Sequence, residues 1–140
     1  PLVFSKLLCY CVTNMTLEQK TIVVVEDEVE AAEMFAEMVR VSGLRVLKAS
    51  GSSAAMALIH KEIPDAVILD IMMPDISGLE VLHYMRREPQ LAKIPVIVVS
   101  AKGLPSDIRT GLDAGASVYL TKPVGYLDLK QAIESVLPAT

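Results

Sequence analysis

The sequence is poor in residues on which several classes of binding protein depend. Its 140 residues contain no tryptophan and only 4% aromatic side chains, so few rings are available to stack on nucleic-acid bases. Lysine and arginine number 13 against 17 acidic residues, and they form no basic cluster of the kind that binds phosphate backbones. These features argue against direct binding to nucleic acid.

Cysteine is also scarce, and both cysteines, Cys9 and Cys11, lie near the N-terminus. Two cysteines with a single residue between them, without a second pair of cysteines or histidines, make neither a zinc site nor a disulfide framework. Free thiols are typical of a reducing compartment, which predicts a cytoplasmic protein. No apolar run reaches the roughly 20 residues that cross a bilayer, so we expect no membrane segment and no signal peptide.

Enough apolar material is present for one globular domain. The chain is 52% hydrophobic and 21% charged, which is too apolar for a disordered protein, and its length leaves no obvious room for a second core. Residues 1–18 differ in pattern from the rest. We interpret them as an N-terminal extension, either artificial or part of a longer protein, and residues 19–140 as the domain.

From residue 20 onward, short apolar runs alternate with segments of helical period. The runs are rich in valine and isoleucine and nearly continuous, as in strands buried on both faces. They are Thr21–Val25, Arg45–Ala49, Ala66–Leu69, Val96–Val99 and Val118–Leu120. Five strands alternating with five helices predict an α/β protein with a parallel sheet covered on both faces.

The apolar spacing also predicts which helical residues are buried. In the first helix, one stripe at helical period consists of Ala31, Met34, Phe35, Met38 and Val39. The last helix shows Leu127, Ile133, Val136 and Leu137. We expect these side chains, including the methionines, to fill the core against the sheet.

Residues with reactive side chains follow four of the predicted strands. Glu26 and Asp27 follow the first, Asp70 the third, Ser100 the fourth and Lys122 the fifth. Because parallel strands end at one edge, these residues should converge. Clustered carboxylates need a compensating cation, and Mg²⁺ prefers such oxygen ligands. A carboxylate nucleophile flanked by a metal and an ammonium is suited to forming an aspartyl phosphate.

The segments that carry these residues resemble the signature segments of response-regulator receiver domains, the CheY-like family of two-component signalling. They read VVVEDE, ILDIMMPDISGLE, VVSA and YLTKPV, and they occur in the family's order across roughly residues 20–138. The resemblance implies a doubly wound (βα)5 flavodoxin-like fold with strand order 2-1-3-4-5. It also makes residues 19–140 the receiver domain.

The resemblance further implies a role for each strand-end residue. Asp70 would be the phosphoacceptor, assisted by Lys122 and by the Ser100 hydroxyl. Ser100 and Tyr119 would form the switch pair that reports phosphorylation. The peptide bond between Lys122 and Pro123 would be cis, as bonds before proline can be.

A magnesium site is part of the same resemblance. Asp27 and Asp70 would bind Mg²⁺ directly, Glu26 through water, and Met72 through its backbone carbonyl. The family usually has two aspartates where this chain has Glu26 and Asp27. The longer glutamate arm is expected to retune the metal site without abolishing it.

The function implied is that of a phosphorylation-controlled switch rather than an enzyme. A histidine kinase or histidine phosphotransfer protein would donate the phosphoryl group, docking beside the acidic site on the first helix. The signal would leave through the face formed by the fourth helix, fifth strand and fifth helix, toward an output domain or a second copy. Gly111 and Gly115 should make the fourth helix marginal, since interior glycine costs about 1 kcal/mol against alanine.

Three alternatives are disfavoured. A degenerate, non-phosphorylated interaction module would lack the acceptor, the acid pair or the lysine, and all are present here. A phosphatase with an aspartyl-phosphate intermediate would carry a second aspartate at the position of Met72, which cannot transfer protons. A flavin or nucleotide site would need small residues after the first strand, where Glu26, Asp27 and Glu28 would repel phosphate. The remaining acids Asp75, Glu28 and Glu30 are expected to be solvated.

Overall fold

The computed structural model describes residues 19–138, so the predicted extension of residues 1–18 lies outside the described residues. Five strands alternate with five helices over this range. The strands are β1 (Thr21–Val25), β2 (Arg45–Ala49), β3 (Ala66–Asp70), β4 (Val96–Ser100) and β5 (Val118–Thr121). The helices are α1 (Val29–Val41), α2 (Ser52–Glu62), α3 (Gly78–Arg87), α4 (Pro105–Asp113) and α5 (Tyr126–Val136). Among the helices described, none combines the length and apolar character needed to cross a membrane.

The strands form one parallel sheet in the order β2-β1-β3-β4-β5. This confirms the predicted flavodoxin-like α/β fold and its strand order. The register pairs Val25 of β1 with Leu69 of β3, and Asp70 of β3 with Val99 of β4. All residues of β3 and β4 are buried, as expected for central strands with helices on both faces.

Two apolar layers hold the sheet in place. One lies between the sheet and helices α1 and α5, and the other between the sheet and helices α2 and α3. Each fully buried aliphatic side chain stabilises the fold by about 1.5–3 kcal/mol, and β3 and β4 are buried along their whole length. The residues at their carboxyl ends are therefore held by the most completely buried strands of the sheet.

The predicted stripe of α1 packs on the core except at Met34. Phe35 and Val39 are buried, and Ala31 and Met38 pack partly buried against the same apolar layer. The side chain of Met34 is 46% exposed, whereas Ala32 and Ala36 are buried. In α5 the prediction for Leu127 is also wrong, because Leu127 is exposed and Leu129 is buried.

Helix α4 is attached to the sheet more lightly than the other helices. Along its nine residues, all of which are described, only Gly111 is buried. The helix ends before Gly115, whose φ of +112° follows the last turn, so the prediction that Gly115 is interior to the helix is wrong. From α3, the Arg86 guanidinium donates hydrogen bonds of 2.8–3.1 Å to the carbonyls of Ala92, Ile94 and Gly115. The two bonds to the Gly115 carbonyl fix the chain just beyond α4. Burial lowers the pKa of the Arg86 guanidinium.

Candidate functional site

The carboxyl ends of the strands bring the predicted site residues together. Glu26 and Asp70 are nearly inaccessible, at 2% and 4% exposure, and Ser100 is fully buried. Above them lies an open depression of about 480 Å³. Its lining residues are Glu26, Asp27, Glu28, Asp70, Met72, Ala101 and Lys122. The site is therefore a depression that is open to solvent on one side and has buried carboxylates at its base.

Three carboxylates within this depression lie close enough to share one ion. Among the described residues, Glu26, Asp27 and Asp70 each offer an oxygen, and these oxygens all lie within 4.8 Å of one another. Lys122 Nζ is 2.8 Å from Glu26 Oε1 and 3.5 Å from Asp70 Oδ2. One ammonium among three carboxylates leaves two formal negative charges unbalanced, which favours the uptake of a further cation.

The environment of Lys122 keeps its ammonium group charged. Burial is the largest single influence and lowers the pKa of Lys122. The hydrogen bond that Lys122 donates to Glu26 and the charges of Asp70 and Glu26 together outweigh burial, so the pKa of Lys122 is raised above its usual value. At neutral pH the lysine is therefore a fixed positive charge beside both buried carboxylates.

The close contact between Glu26 and Lys122 was not predicted. The longer arm of Glu26 reaches Lys122 more closely than Asp70 does, and its second oxygen accepts a hydrogen bond of 3.3 Å from the Glu28 backbone N–H. An aspartate in this position would be one methylene shorter. The length of the glutamate arm is the sequence signal that could have revealed the contact with Lys122.

The loop after β3 is shaped around Asp70. The Met72 backbone N–H donates a 3.0 Å hydrogen bond to Asp70 Oδ1, while the Met72 side chain is 50% exposed at the rim. Gly78 begins α3 and donates from its backbone to the Ile71 carbonyl at 2.8 Å. A Cβ at Gly78 would overlap the Asp70 carbonyl oxygen and lie 2.8 Å from Ile71 Cα. Only glycine therefore fits beside the backbone of Asp70.

The same loop is fastened to α2 by two contacts that the sequence did not predict. Asp75 is exposed, as expected, but its carboxylate accepts a 3.2 Å hydrogen bond from the Ser52 backbone N–H at the start of α2. The buried Ser52 hydroxyl in turn donates to the Ile76 carbonyl at 2.6 Å. The backbone N–H of Ile76, followed by those of Asp75, Ser52 and Ser53, lowers the pKa of Asp75 against a smaller opposing effect of burial.

This lowered pKa predicts how stability depends on pH. Because the folded pKa lies below the ordinary value of 3.8, ionised Asp75 stabilises the fold above that value and loses the effect as pH falls through the folded pKa. We expect Asp75→Asn to lower the free energy of unfolding at neutral pH, and the difference from wild type to shrink below pH of about 4. Urea unfolding of wild type and Asp75→Asn at pH values from neutral to below about 4 measures this difference in the free energy of unfolding. Asp113→Asn, an exposed change on α4, should show no such pH-dependent difference, and an equal profile for both variants would contradict the assignment.

Ser100 and Tyr119 are connected through the backbone of one residue, Lys102. The Lys102 backbone N–H donates a 3.1 Å hydrogen bond to Ser100 Oγ, and the Tyr119 hydroxyl donates a 2.7 Å hydrogen bond to the Lys102 carbonyl. The loop between β4 and α4 is thus tied at one residue to both. The bond between Lys122 and Pro123 is cis, as predicted.

Comparison with known proteins places this geometry in a family. Residues 22–134 match the family model of the response regulator receiver domain. The chain therefore belongs to the response regulator receiver domain family, and it is a signalling domain of the two-component type.

Individual relatives support the same assignment. The chain is 38% identical over 120 residues to the "Probable transcriptional regulatory protein TcrX" of Mycobacterium tuberculosis, covering 86% of this chain and 50% of that protein. It is 36% identical over 121 residues to the phosphate regulon transcriptional regulatory protein PhoB of Pseudomonas aeruginosa, covering 86% and 53%. The receiver domain of the Francisella response regulator 1452 superposes with a TM-score of 0.79 at 26% identity, covering 84% and 96%. The chain thus spans about half the length of the curated relatives it matches.

Proposed function

We propose that this receiver domain accepts a phosphoryl group on Asp70, in a Mg²⁺-dependent reaction, from a histidine kinase or a histidine phosphotransfer protein. The observation that carries the proposal is the buried carboxylate of Asp70, which lies between two further carboxylates and the Lys122 ammonium. We place the reaction in the cytoplasm and take residues 19–140 as the domain that performs it.

The donor set fits magnesium. Asp27 and Asp70 would provide direct carboxylate ligands, Glu26 a water-mediated one, and Met72 its backbone carbonyl. Such hard oxygen donors suit Mg²⁺, and the two unbalanced negative charges of the cluster favour a divalent cation. When bound, Mg²⁺ would neutralise charge on the carboxylate and on the phosphoryl oxygens.

The protein's own groups then have distinct tasks. A carboxylate oxygen of Asp70 attacks phosphorus, and the new O–P bond forms as the bond from phosphorus to the donor's leaving group breaks. The Met72 N–H holds Asp70 Oδ1 in place. Lys122 would pair with a phosphoryl oxygen and Ser100 would donate its hydroxyl to another. These tasks are positioning and charge neutralisation, which are what phosphoryl transfer requires of a protein.

Two surfaces are proposed for partners. Beside the site, the side chains of Val29 and Met34 on α1 are exposed although apolar, and we assign this part of α1 to docking of the phosphodonor protein. The face formed by α4, β5 and α5 would carry the response to an output domain or to a second copy of the chain. On α4, Leu104 at its N-cap and Leu112 are exposed apolar side chains on that face.

Labelling by a small phosphodonor tests the proposed function. The purified chain is incubated with acetyl phosphate in the presence of Mg²⁺ or of a chelator, and bound phosphoryl is detected by intact mass. We expect one phosphoryl group with Mg²⁺ and none with the chelator. Absence of labelling in both conditions, or equal labelling in both, would contradict the proposal.

The charge of Glu26 should contribute to metal affinity. Glu26→Gln removes one of the clustered negative charges, and we expect Mg²⁺ to bind about tenfold more weakly, a difference of roughly 1.4 kcal/mol. A Mg²⁺ titration followed by NMR of the backbone amides measures the affinity. Glu30→Gln makes the same chemical change at an exposed position on α1 outside the cluster. Equal weakening in both variants would show that only the overall charge matters and would contradict the assigned role.

A further inference from the structure

The ring of Tyr119 lies directly against the backbone of α4. A Cβ built on Gly111 would be 2.7 Å from Tyr119 Cδ2 and 2.8 Å from Cε2, distances at which either the ring or the helix must move. Gly111 is also the one buried residue of α4, all of whose residues are described. The closest approach of this helix to the sheet is therefore made by a residue without a side chain, against an aromatic ring.

The opposite end of the same ring is fixed by hydrogen bonding. The Tyr119 hydroxyl donates to the Lys102 carbonyl at 2.7 Å, and the Lys102 N–H donates to Ser100 Oγ at 3.1 Å. The ring also packs against the apolar layer between the sheet and helices α2 and α3. Tyr119 thus occupies a slot bounded by the α4 backbone at Gly111, the loop at Lys102 and the core.

We propose that Gly111 is the positioning residue for Tyr119 and thereby sets how readily the loop after Ser100 responds to phosphorylation. The inference rests on the proposed function, in which Ser100 and Tyr119 report the phosphoryl group on Asp70. A side chain at position 111 would fill the slot and displace the ring. The hydrogen bond from Tyr119 to Lys102 would then break, while the one from Lys102 to Ser100 has no direct conflict with the new side chain.

The effect of Gly111→Ala is separable from loss of stability. Alanine favours a helix more than glycine does, so the substitution strengthens α4 while closing the slot. Gly125→Ala is a matched control, because its Cβ would meet only Asp128 Oδ2, at an ordinary 3.7 Å. An effect caused by displacement of the Tyr119 ring should appear in Gly111→Ala and not in Gly125→Ala.

Fluorine NMR of protein labelled with 3-fluorotyrosine reads the ring directly. The chain has four tyrosines, and Tyr119→Phe identifies the resonance of Tyr119. We expect Gly111→Ala to shift that resonance toward the value of a solvent-exposed tyrosine, and Gly125→Ala to leave it unchanged. An unchanged Tyr119 resonance in a folded Gly111→Ala protein would overturn the proposal.

A double-mutant cycle tests whether Gly111 acts through the ring. Without phosphodonor, we expect Gly111→Ala to raise amide hydrogen exchange in residues 101–104 by roughly two- to tenfold, the range for loss of one ordinary hydrogen bond. In a Tyr119→Leu background the same substitution should have no further effect. An equal increase in both backgrounds would show that Gly111 does not act through Tyr119, and would overturn the proposal.

Labelling with acetyl phosphate and Mg²⁺ tests whether Gly111 also affects phosphorylation of Asp70. If the loop and the phosphoryl group are coupled, Gly111→Ala should change the steady-state extent of labelling, while Gly125→Ala keeps it at the wild-type level. A displaced ring with unaltered labelling would contradict the regulatory part of the proposal. If the wild-type protein is not labelled, the proposed function is contradicted instead. The hydrogen-exchange and fluorine NMR measurements would still test whether Gly111 positions the Tyr119 ring.

Discussion

Replacing Asp70 with asparagine is expected to abolish labelling by acetyl phosphate, reducing it by more than about 100-fold. The amide has the shape of the carboxylate but is not a nucleophile toward phosphorus. Its oxygen can still accept the hydrogen bond that the Met72 N–H makes to Asp70 Oδ1, so the loop should keep its conformation. Intact mass after incubation with acetyl phosphate and Mg²⁺ measures the loss, and far-UV circular dichroism checks the fold.

Asp75→Asn is the matched control for this experiment, because it makes the same chemical change in the same loop. Asp75 contacts the start of α2 rather than the carboxylate cluster, so labelling should persist in that variant. An Asp70→Asn protein that still gained a hydroxylamine-sensitive phosphoryl group would place the acceptor elsewhere. Glu26 and Asp27 would then be the first residues to test.

Adding one methyl group beside the backbone of Asp70 is expected to destabilise the domain strongly. In Gly78→Ala the new Cβ would overlap the Asp70 carbonyl oxygen and lie 2.8 Å from Ile71 Cα. Both are backbone atoms, so no side-chain rotation relieves the conflict and the start of α3 must move. We expect the free energy of unfolding to fall by roughly 2–4 kcal/mol, and the melting temperature by about 10 °C.

Thermal and urea unfolding of Gly78→Ala and Gly125→Ala separate this conflict from the general effect of replacing glycine. Gly125 is the N-cap of α5, with a φ of −81° and an open neighbourhood, so its alanine variant meets no steric conflict and should lose at most about 1 kcal/mol, the cost of alanine at an N-cap. If both variants lost similar stability, the close approach at Gly78 would not be the cause.

The sheet was predictable because buried parallel strands are continuous apolar runs. The predicted strands ended at Leu69, Val99 and Leu120, one residue short of the observed ends in each case. The reason is that the apolar run ends before burial does: Asp70 and Ser100 are polar but buried, and backbone pairing includes them. Asp70 and Ser100 therefore belong to the hydrogen-bonded strands themselves.

The site residues were predictable from their placement after strands, but their contacts were not. Lys122 is 96 residues from Glu26, and Asp75 is 23 residues from Ser52. Such pairs depend on the length of a side chain and on the path of a loop, neither of which leaves a periodic signal. The same holds for the slot between Gly111 and Tyr119, where the determining feature is an absent side chain.

The helix stripes show a related limit. In α1, the predicted stripe packs on the core except at Met34, which is exposed, while Ala32 and Ala36 are buried. Apolar periodicity therefore predicts the centre of a buried helix face more reliably than it predicts the residues at the edge of that face.

The four hydrogen bonds from Arg86 have a mechanical consequence for α4. Two of them join the Gly115 carbonyl, just after the helix, to α3, and the other two join α3 to the segment before β4. The other end of α4 is attached through the Ser100 and Tyr119 hydroxyls at Lys102. We therefore expect any displacement of α4 to be larger at Leu104 than at Asp113, so a partner that binds Leu104 would respond to it more strongly.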